Sequence, residues 1–102
     1  MSTVRDQHRE AMGLADRADL EKRRGNLDSA RLLYAQAFDL EKSAAVLFAA
    51  RYNDEPSRSI HYRSAASLAI DSQQLDEAER LFAIALSGFP PSDIADELRD
   101  LL

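Results

Sequence analysis

A twelve-residue helical pattern occurs twice in this chain and constrains its fold more than any other feature. It reads LDSARLLYAQAF over residues 27–38 and LDEAERLFAIAL over residues 75–86, with six identical positions. In both copies small and apolar residues recur at steps of three and four, the spacing of one face of an α-helix. Each copy also places a carboxylate, Asp28 or Asp76, in its first turn, where the helix dipole favours it. The pattern therefore predicts two related helices.

Glycine and proline residues divide the rest of the chain into further helical segments. No segment alternates apolar and polar residues with a period of two, so no strands are expected. A chain of 102 residues suits one hydrophobic core. We predict an all-α single domain over residues 1–102, with antiparallel helical hairpins at about 3–52 and 56–88 and a short C-terminal capping helix at about 92–101.

Small residues flank an aromatic residue at the same spacing in both copies of the pattern. These residues are Ala30, Tyr34 and Ala37 in the first copy, and Ala78, Phe82 and Ala85 in the second. The spacing resembles the second helix of a tetratricopeptide repeat (TPR), and the resemblance covers roughly residues 11–42 and 59–90. It implies TPR-like hairpins, about five helices in all, and a non-catalytic adaptor that binds a protein or peptide partner.

The distance between the two copies departs from the family pattern. Ala30 and Ala78 are 48 residues apart, whereas tetratricopeptide repeats recur every 34 residues or so. We interpret the surplus as an extension of the second helix to about seven turns, apolar nearly all round over residues 44–50. The side around Val46 and Ala50 then needs a cover, which the final helix or a second copy of the chain in a homodimer would supply.

The resemblance also implies where a partner lies, namely on the concave face formed by the first helix of each hairpin. The candidate contact residues at the matching positions are Met12, Asp19, Arg23, Ile60, Arg63 and Ile70. Family members that bind chaperones clamp a peptide's terminal carboxylate with a lysine and an asparagine in the first repeat. Ala15 and Asp19 stand at those positions here, so this clamp is absent and Asp19 would repel such a peptide.

Charge and composition narrow the classes of partner. The net charge is −5 and the pI is about 4.9, so the basic face that nucleic-acid binding requires is not expected. We interpret the basic run 22–24 as cations at a helix C-terminus. Neither a membrane-spanning apolar run nor an N-terminal secretory signal is visible, and there are no cysteines. We therefore expect a cytoplasmic protein with no nucleic-acid or membrane partner.

No catalytic, cofactor-binding or metal-binding residues are predicted. The two histidines, His8 and His61, fall in different helices, and neither belongs to a recognisable metal-ligand motif. His8 is interpreted as a side chain at the edge of the first hairpin.

Two alternative functions stay open. The first is a three-helix trafficking-type bundle similar to MIT domains, suggested by residues 25–27 and 33–34. The second copy of the pattern at residues 75–86 argues against it. The second alternative is a helical nuclease or enzyme subunit using His61, which a single histidine in an acidic domain supports only weakly.

Overall fold

The structure is a computed structural model and describes residues 3–101. Five helices occupy this part of the chain, and no strand occurs within it. Their bounds are α1 (Val4–Arg23), α2 (Leu27–Val46), α3 (Ser57–Asp71), α4 (Leu75–Leu86) and α5 (Ser92–Leu101). The predicted all-α fold, with two hairpins followed by a short C-terminal helix, is confirmed.

Contacts between consecutive helices establish their directions. In the first hairpin His8 meets Glu41, near the end of α2, and Asp19 meets Tyr34, nearer its start, so α1 and α2 are antiparallel. In the second hairpin Arg58, at the start of α3, reaches the carbonyl groups at the end of α4. Each of the first four helices packs against the next, and α5 packs against α3 and α4.

The core is built from small residues and a few aromatic rings. The repeated residues of both copies are all buried, namely Ala30, Tyr34, Ala37, Ala78, Phe82 and Ala85. Alanine side chains let neighbouring helices approach closely, and the aromatic ring one turn away fills the space between them. The repeat therefore marks the two helices that pack through the same face.

The turn inside each hairpin is repeated as well. Gly25 has φ +83° and Gln73, at the equivalent place 48 residues later, has φ +64°. In both turns the residue after the left-handed one donates its amide to a carbonyl near the end of the preceding helix. The amide of Asn26 donates to Glu21 of α1 at 2.9 Å, and the amide of Gln74 donates to Ala69 of α3 at 2.7 Å. This is the Schellman arrangement, whose left-handed residue is usually glycine. The second turn therefore contains a residue with a Cβ where glycine is favoured.

Replacing Gln73 with glycine is expected to stabilise the protein. A left-handed backbone costs a residue with a Cβ roughly 1–2 kcal/mol, part of which is returned because glycine loses more entropy on folding. We expect a net gain of about 1 kcal/mol, or roughly 4–8 °C in Tm for a domain of this size. Thermal unfolding followed by circular dichroism measures it. Gln73→Ala removes the same side chain but keeps the Cβ, so an equal gain in that variant would contradict the explanation.

The length of α2 differs from the prediction. The helix ends at Val46 instead of continuing to about residue 52, and the next amides bond three residues back, as from Phe48 to Ala45 at 2.9 Å. The carbonyl of Ala49 accepts from the Arg58 side chain at 3.3 and 3.4 Å instead of from a helical amide. The surplus residues between the two copies therefore form a segment of tight turns.

The apolar residues of this segment are only partly covered. Phe48 is buried, whereas Val46 and Leu47 are 49% and 51% exposed and Ala50 is exposed as well. Since α5 packs against α3 and α4, it does not supply the cover considered for Val46 and Ala50.

Candidate functional site

A groove of about 600 Å³ lies between α1 and α3, and α5 flanks its other side. The two helices run in the same direction: His8 lies beside His61, and Lys22 and Asp71 line one recess. Residues along both helices face the groove, including Met12, Ala15, Asp19, Arg63, Ser67 and Asp71. Tyr34 of α2 contributes to its floor. The groove therefore lies between the first helices of the two hairpins.

Carboxylates dominate the charge of this groove. The five acidic residues that line it are Asp16, Asp19, Asp71, Glu97 and Asp100. Arg63 is the single basic residue among its lining, and its Nη1 donates to Glu97 at 3.0 Å. One carboxylate is thus neutralised inside the groove and four are not. The site therefore has a negative potential that favours cationic ligands.

Two of these carboxylates lie close to each other at one end of the groove. The hydroxyl of Tyr34 donates a hydrogen bond to Asp19. Burial raises the pKa of Tyr34, and the bond to Asp19 raises it further. Burial also raises the pKa of Asp71, Lys22 opposes that rise and Asp19 adds to it. The raised pKa of Asp71 therefore reflects mainly its burial, and Lys22 offsets part of the negative charge at this end.

The residues predicted to contact a partner fall into three groups. Met12, Asp19 and Arg63 line the groove together. Ile70 lines a smaller adjoining recess of about 260 Å³. Ile60 packs against the core, and Arg23 is exposed at the C-terminal end of α1, outside the groove lining.

The contribution of α5 to the groove was not predicted. Ile94 and Leu98 are buried, whereas Leu101 is 40% exposed and lines the groove with Glu97 and Asp100. The amphipathic pattern of a short helix shows which face is inward. It does not show on which side of the preceding hairpins the helix docks. The position of Glu97 and Asp100 beside the groove was therefore found only in the structure.

A second cluster of chemically active side chains lies where α1, α2 and α3 meet. The carboxylate of Glu41 binds two imidazoles, His8 Nδ1 at 2.7 Å through Oε2 and His61 Nδ1 at 2.6 Å through Oε1. A carboxylate that is ionised only accepts hydrogen bonds, and each imidazole would then donate to it from Nδ1. The two rings meet edge to face with their centroids 5.1 Å apart.

This cluster is enclosed on one side and open on the other. Glu41 is fully buried, whereas the side chain of His8 is 33% exposed. Phe48 stacks on His61 with a centroid separation of 5.0 Å. His8 is thus not merely an edge side chain, because it forms one of the two bonds to a buried carboxylate.

The sequence contained one signal for this cluster. Glu41 follows Ala37 by four residues and precedes Ala44 by three, so it lies on the buried stripe of α2. A buried carboxylate needs partners. The identity of those partners was not visible, because His8 and His61 lie 33 and 20 residues away.

Of the helices described, none is both long and apolar enough to span a membrane. No protein-family model, curated protein or solved structure matches this chain.

Proposed function

We propose that this protein is a non-catalytic interaction module whose groove binds a peptide segment with lysine or arginine side chains. The observation that carries the proposal is the convergence of five carboxylates and one arginine on a groove between α1, α3 and α5. Complementary charge sets the specificity and the rate of such encounters more than it sets affinity.

Apolar contacts would supply the rest of the binding energy. Met12, Leu68 and Leu101 line the same groove as the acidic residues. A peptide with an apolar side chain between two basic ones would place the apolar group against these residues and its cations against the carboxylates. The aliphatic stems of lysine and arginine would add contact area while their charged ends stay hydrated. A segment of mixed basic and apolar character therefore fits best.

The tetratricopeptide resemblance supports an adaptor role. The residues that carry it are buried in equivalent positions of α2 and α4, and the two inter-helix turns share their hydrogen-bond pattern. In that family partners lie on the face formed by the first helix of each hairpin, which here corresponds to α1 and α3. We propose that the chain is a TPR-like adaptor acting in the cytoplasm.

Reversing charge in the groove is expected to weaken peptide binding. Asp16 and Asp100 are exposed and line the groove. The double variant Asp16→Lys/Asp100→Lys should raise the Kd for a short peptide of lysine and leucine by about tenfold or more at low ionic strength. Fluorescence anisotropy of the labelled peptide measures the Kd.

The matched control reverses two exposed carboxylates outside the groove lining. Asp39→Lys/Glu79→Lys changes the net charge equally but alters α2 and α4. An equal loss of affinity in both double variants would show a general charge effect and contradict binding in the groove. Equal affinity for a glutamate-for-lysine peptide would contradict it as well.

We also propose self-association through the last residue of α2 and the exposed segment that follows it. Val46, Leu47 and Ala50 form a partly uncovered apolar strip there, away from the groove lining. Burying such a strip against a second copy would remove it from water. Light scattering coupled to size exclusion at tens of micromolar should give the mass of two chains, and Val46→Lys should give the mass of one. A wild-type monomer at that concentration would contradict this proposal.

A further inference from the structure

We infer that His8, Glu41 and His61 form a binding site for a divalent transition-metal ion such as Zn²⁺ or Co²⁺. The three side chains come from α1, α2 and α3, and their candidate ligand atoms all lie within 4.8 Å of one another. Three separate helices therefore position the donors. The site lies apart from the acidic groove lining, so the inference stands without the proposed function.

The donor set indicates which class of ion fits. Two imidazole nitrogens and one carboxylate oxygen suit Zn²⁺, Co²⁺, Ni²⁺ and Cu²⁺, whereas Mg²⁺ and Ca²⁺ prefer oxygen ligands alone. Three protein ligands leave a further position on the ion for water. The exposed side of His8 provides a route for that water and for the entry of the ion.

The charge of the cluster also favours a cation. Glu41 is fully buried, and its hydrogen-bond partners among residues 3–101 are the two histidines; no lysine or arginine forms an ion pair with it among these residues. A buried carboxylate is stable only when it is paired. A divalent ion would bring positive charge directly to this carboxylate.

Binding requires a rearrangement, because ligand atoms that lie within 4.8 Å of one another must reach the spacing of a metal site. Each Nδ1 now lies 2.6 or 2.7 Å from a carboxylate oxygen. With metal–ligand bonds of about 2.0–2.2 Å, neighbouring ligand atoms of a tetrahedral site are roughly 3.3 Å apart. The imidazoles must therefore move away from the carboxylate by about 0.6 Å and carry their proton on Nε2, freeing Nδ1 for the ion. His8 lies on the open side of the cluster, which allows this movement.

The composition of the chain restricts which side chains could bind the ion. His8 and His61 are its only histidines, and there are no cysteines. Binding of Co²⁺ or Zn²⁺ by imidazole in a protein without a histidine tag therefore reports on this cluster alone.

Titration of the full, tag-free chain with Co²⁺ and Zn²⁺ tests the inference. We expect one ion per chain, a visible Co²⁺ absorption band, and a rise in Tm of roughly 10 °C at a hundredfold excess of Zn²⁺ over its Kd. Mg²⁺ should cause no such rise. His8→Ala should weaken Zn²⁺ binding by about a hundredfold or more, since loss of a group that only hydrogen-bonds to a metal ligand already costs about 10–100-fold.

Two further variants separate metal binding from folding. His8→Gln retains an amide donor for Glu41 but not an imidazole, so it should fold and still lose Zn²⁺ affinity. Glu10→Gln removes an exposed carboxylate from α1 and should leave the affinity unchanged. Absence of saturable Zn²⁺ and Co²⁺ binding up to millimolar concentrations would overturn the inference. So would unchanged affinity in a folded His8→Gln variant.

Discussion

Replacing Arg58 with alanine is expected to lower the free energy of unfolding by about 4 kcal/mol, because it truncates a large, fully buried side chain and removes its hydrogen bonds. Arg58 is fully buried, and no carboxylate pairs with it among the described residues. Its guanidinium donates instead to backbone carbonyls, at 3.3 Å to Ala49, 3.1 Å to Ile84 and 3.5 Å to Ala85. These bonds join the connecting segment to the C-terminal end of α4.

Three features make this arginine stable in the interior. The carbonyl groups at the end of α4 present the negative pole of the helix dipole to the guanidinium. The rings of Tyr52 and Tyr62 lie over the guanidinium with centroids 4.8 and 5.4 Å from Cζ, at cation–π distance. Finally, Gly88 leaves the space that Nη1 occupies, since a Cβ there would overlap it. Alanine at position 58 would leave a cavity and remove the partner of the Ala49 carbonyl group. The carbonyl groups of Ile84 and Ala85 would keep their bonds from Ser87 Oγ and the Gly88 amide.

Urea denaturation of the unchanged protein and of the Arg58→Ala variant measures the difference in the free energy of unfolding. Arg58→Lys retains the charge but lacks the planar fork that reaches several carbonyl groups, so its loss should be intermediate. Arg80→Ala alters an exposed arginine of α4 and should change stability by less than about 0.5 kcal/mol. A loss below 1 kcal/mol in Arg58→Ala would mean that the Ala49 carbonyl group finds another partner.

Replacing Glu41 with alanine is expected to cost about 3 kcal/mol of unfolding free energy in the absence of added metal. The change removes the common acceptor of His8 and His61 and leaves a cavity between three helices. Both Nδ1 donors then lose their partner, and that of His61 has little access to solvent. The variant should also loosen the stacking of Phe48 on His61.

Comparison with glutamine, which has a similar volume to glutamate, separates the effect of the cavity on stability from the effect of the lost hydrogen bonds. Glu41→Gln retains one carbonyl oxygen, so it should cost about half as much as Glu41→Ala. Thermal and urea unfolding in the presence of a chelator measure both variants. Equal stability of Glu41→Ala and the unchanged protein would contradict a structural role for the cluster.

Local patterns in the sequence were sufficient for most of the architecture. Helix starts and stops are encoded by neighbouring residues, such as the left-handed Gly25 after α1, so the bounds of most helices could be predicted closely. The C-terminal end of α2 could not be predicted in this way. An apolar run is compatible with a helix or with a turn segment packed on its neighbours, and the contacts of Phe48 and Ala49 with α3 decide between them.

The groove and the cluster differ in how far they could be foreseen. Met12, Asp19 and Arg63 were predictable because their positions in a hairpin repeat determine which face they occupy. Two features depend on tertiary packing between residues far apart in the chain. They are the position of the α5 carboxylates beside the groove and the contact between His8 and His61. A single sequence contains no local signal for contacts between residues so far apart. Glu41, on a buried stripe, was the nearest indication.

The most direct test of the proposed binding role is to map where a basic peptide contacts the protein. Amide signals of the isotope-labelled chain would be followed by NMR while the lysine–leucine peptide is added. We predict shift changes concentrated on the groove-facing residues of α1, α3 and α5, reduced as salt is raised and absent with the glutamate-for-lysine peptide. Changes confined to the outer faces of α2 and α4, or no saturable changes at millimolar peptide, would contradict a cation-binding groove.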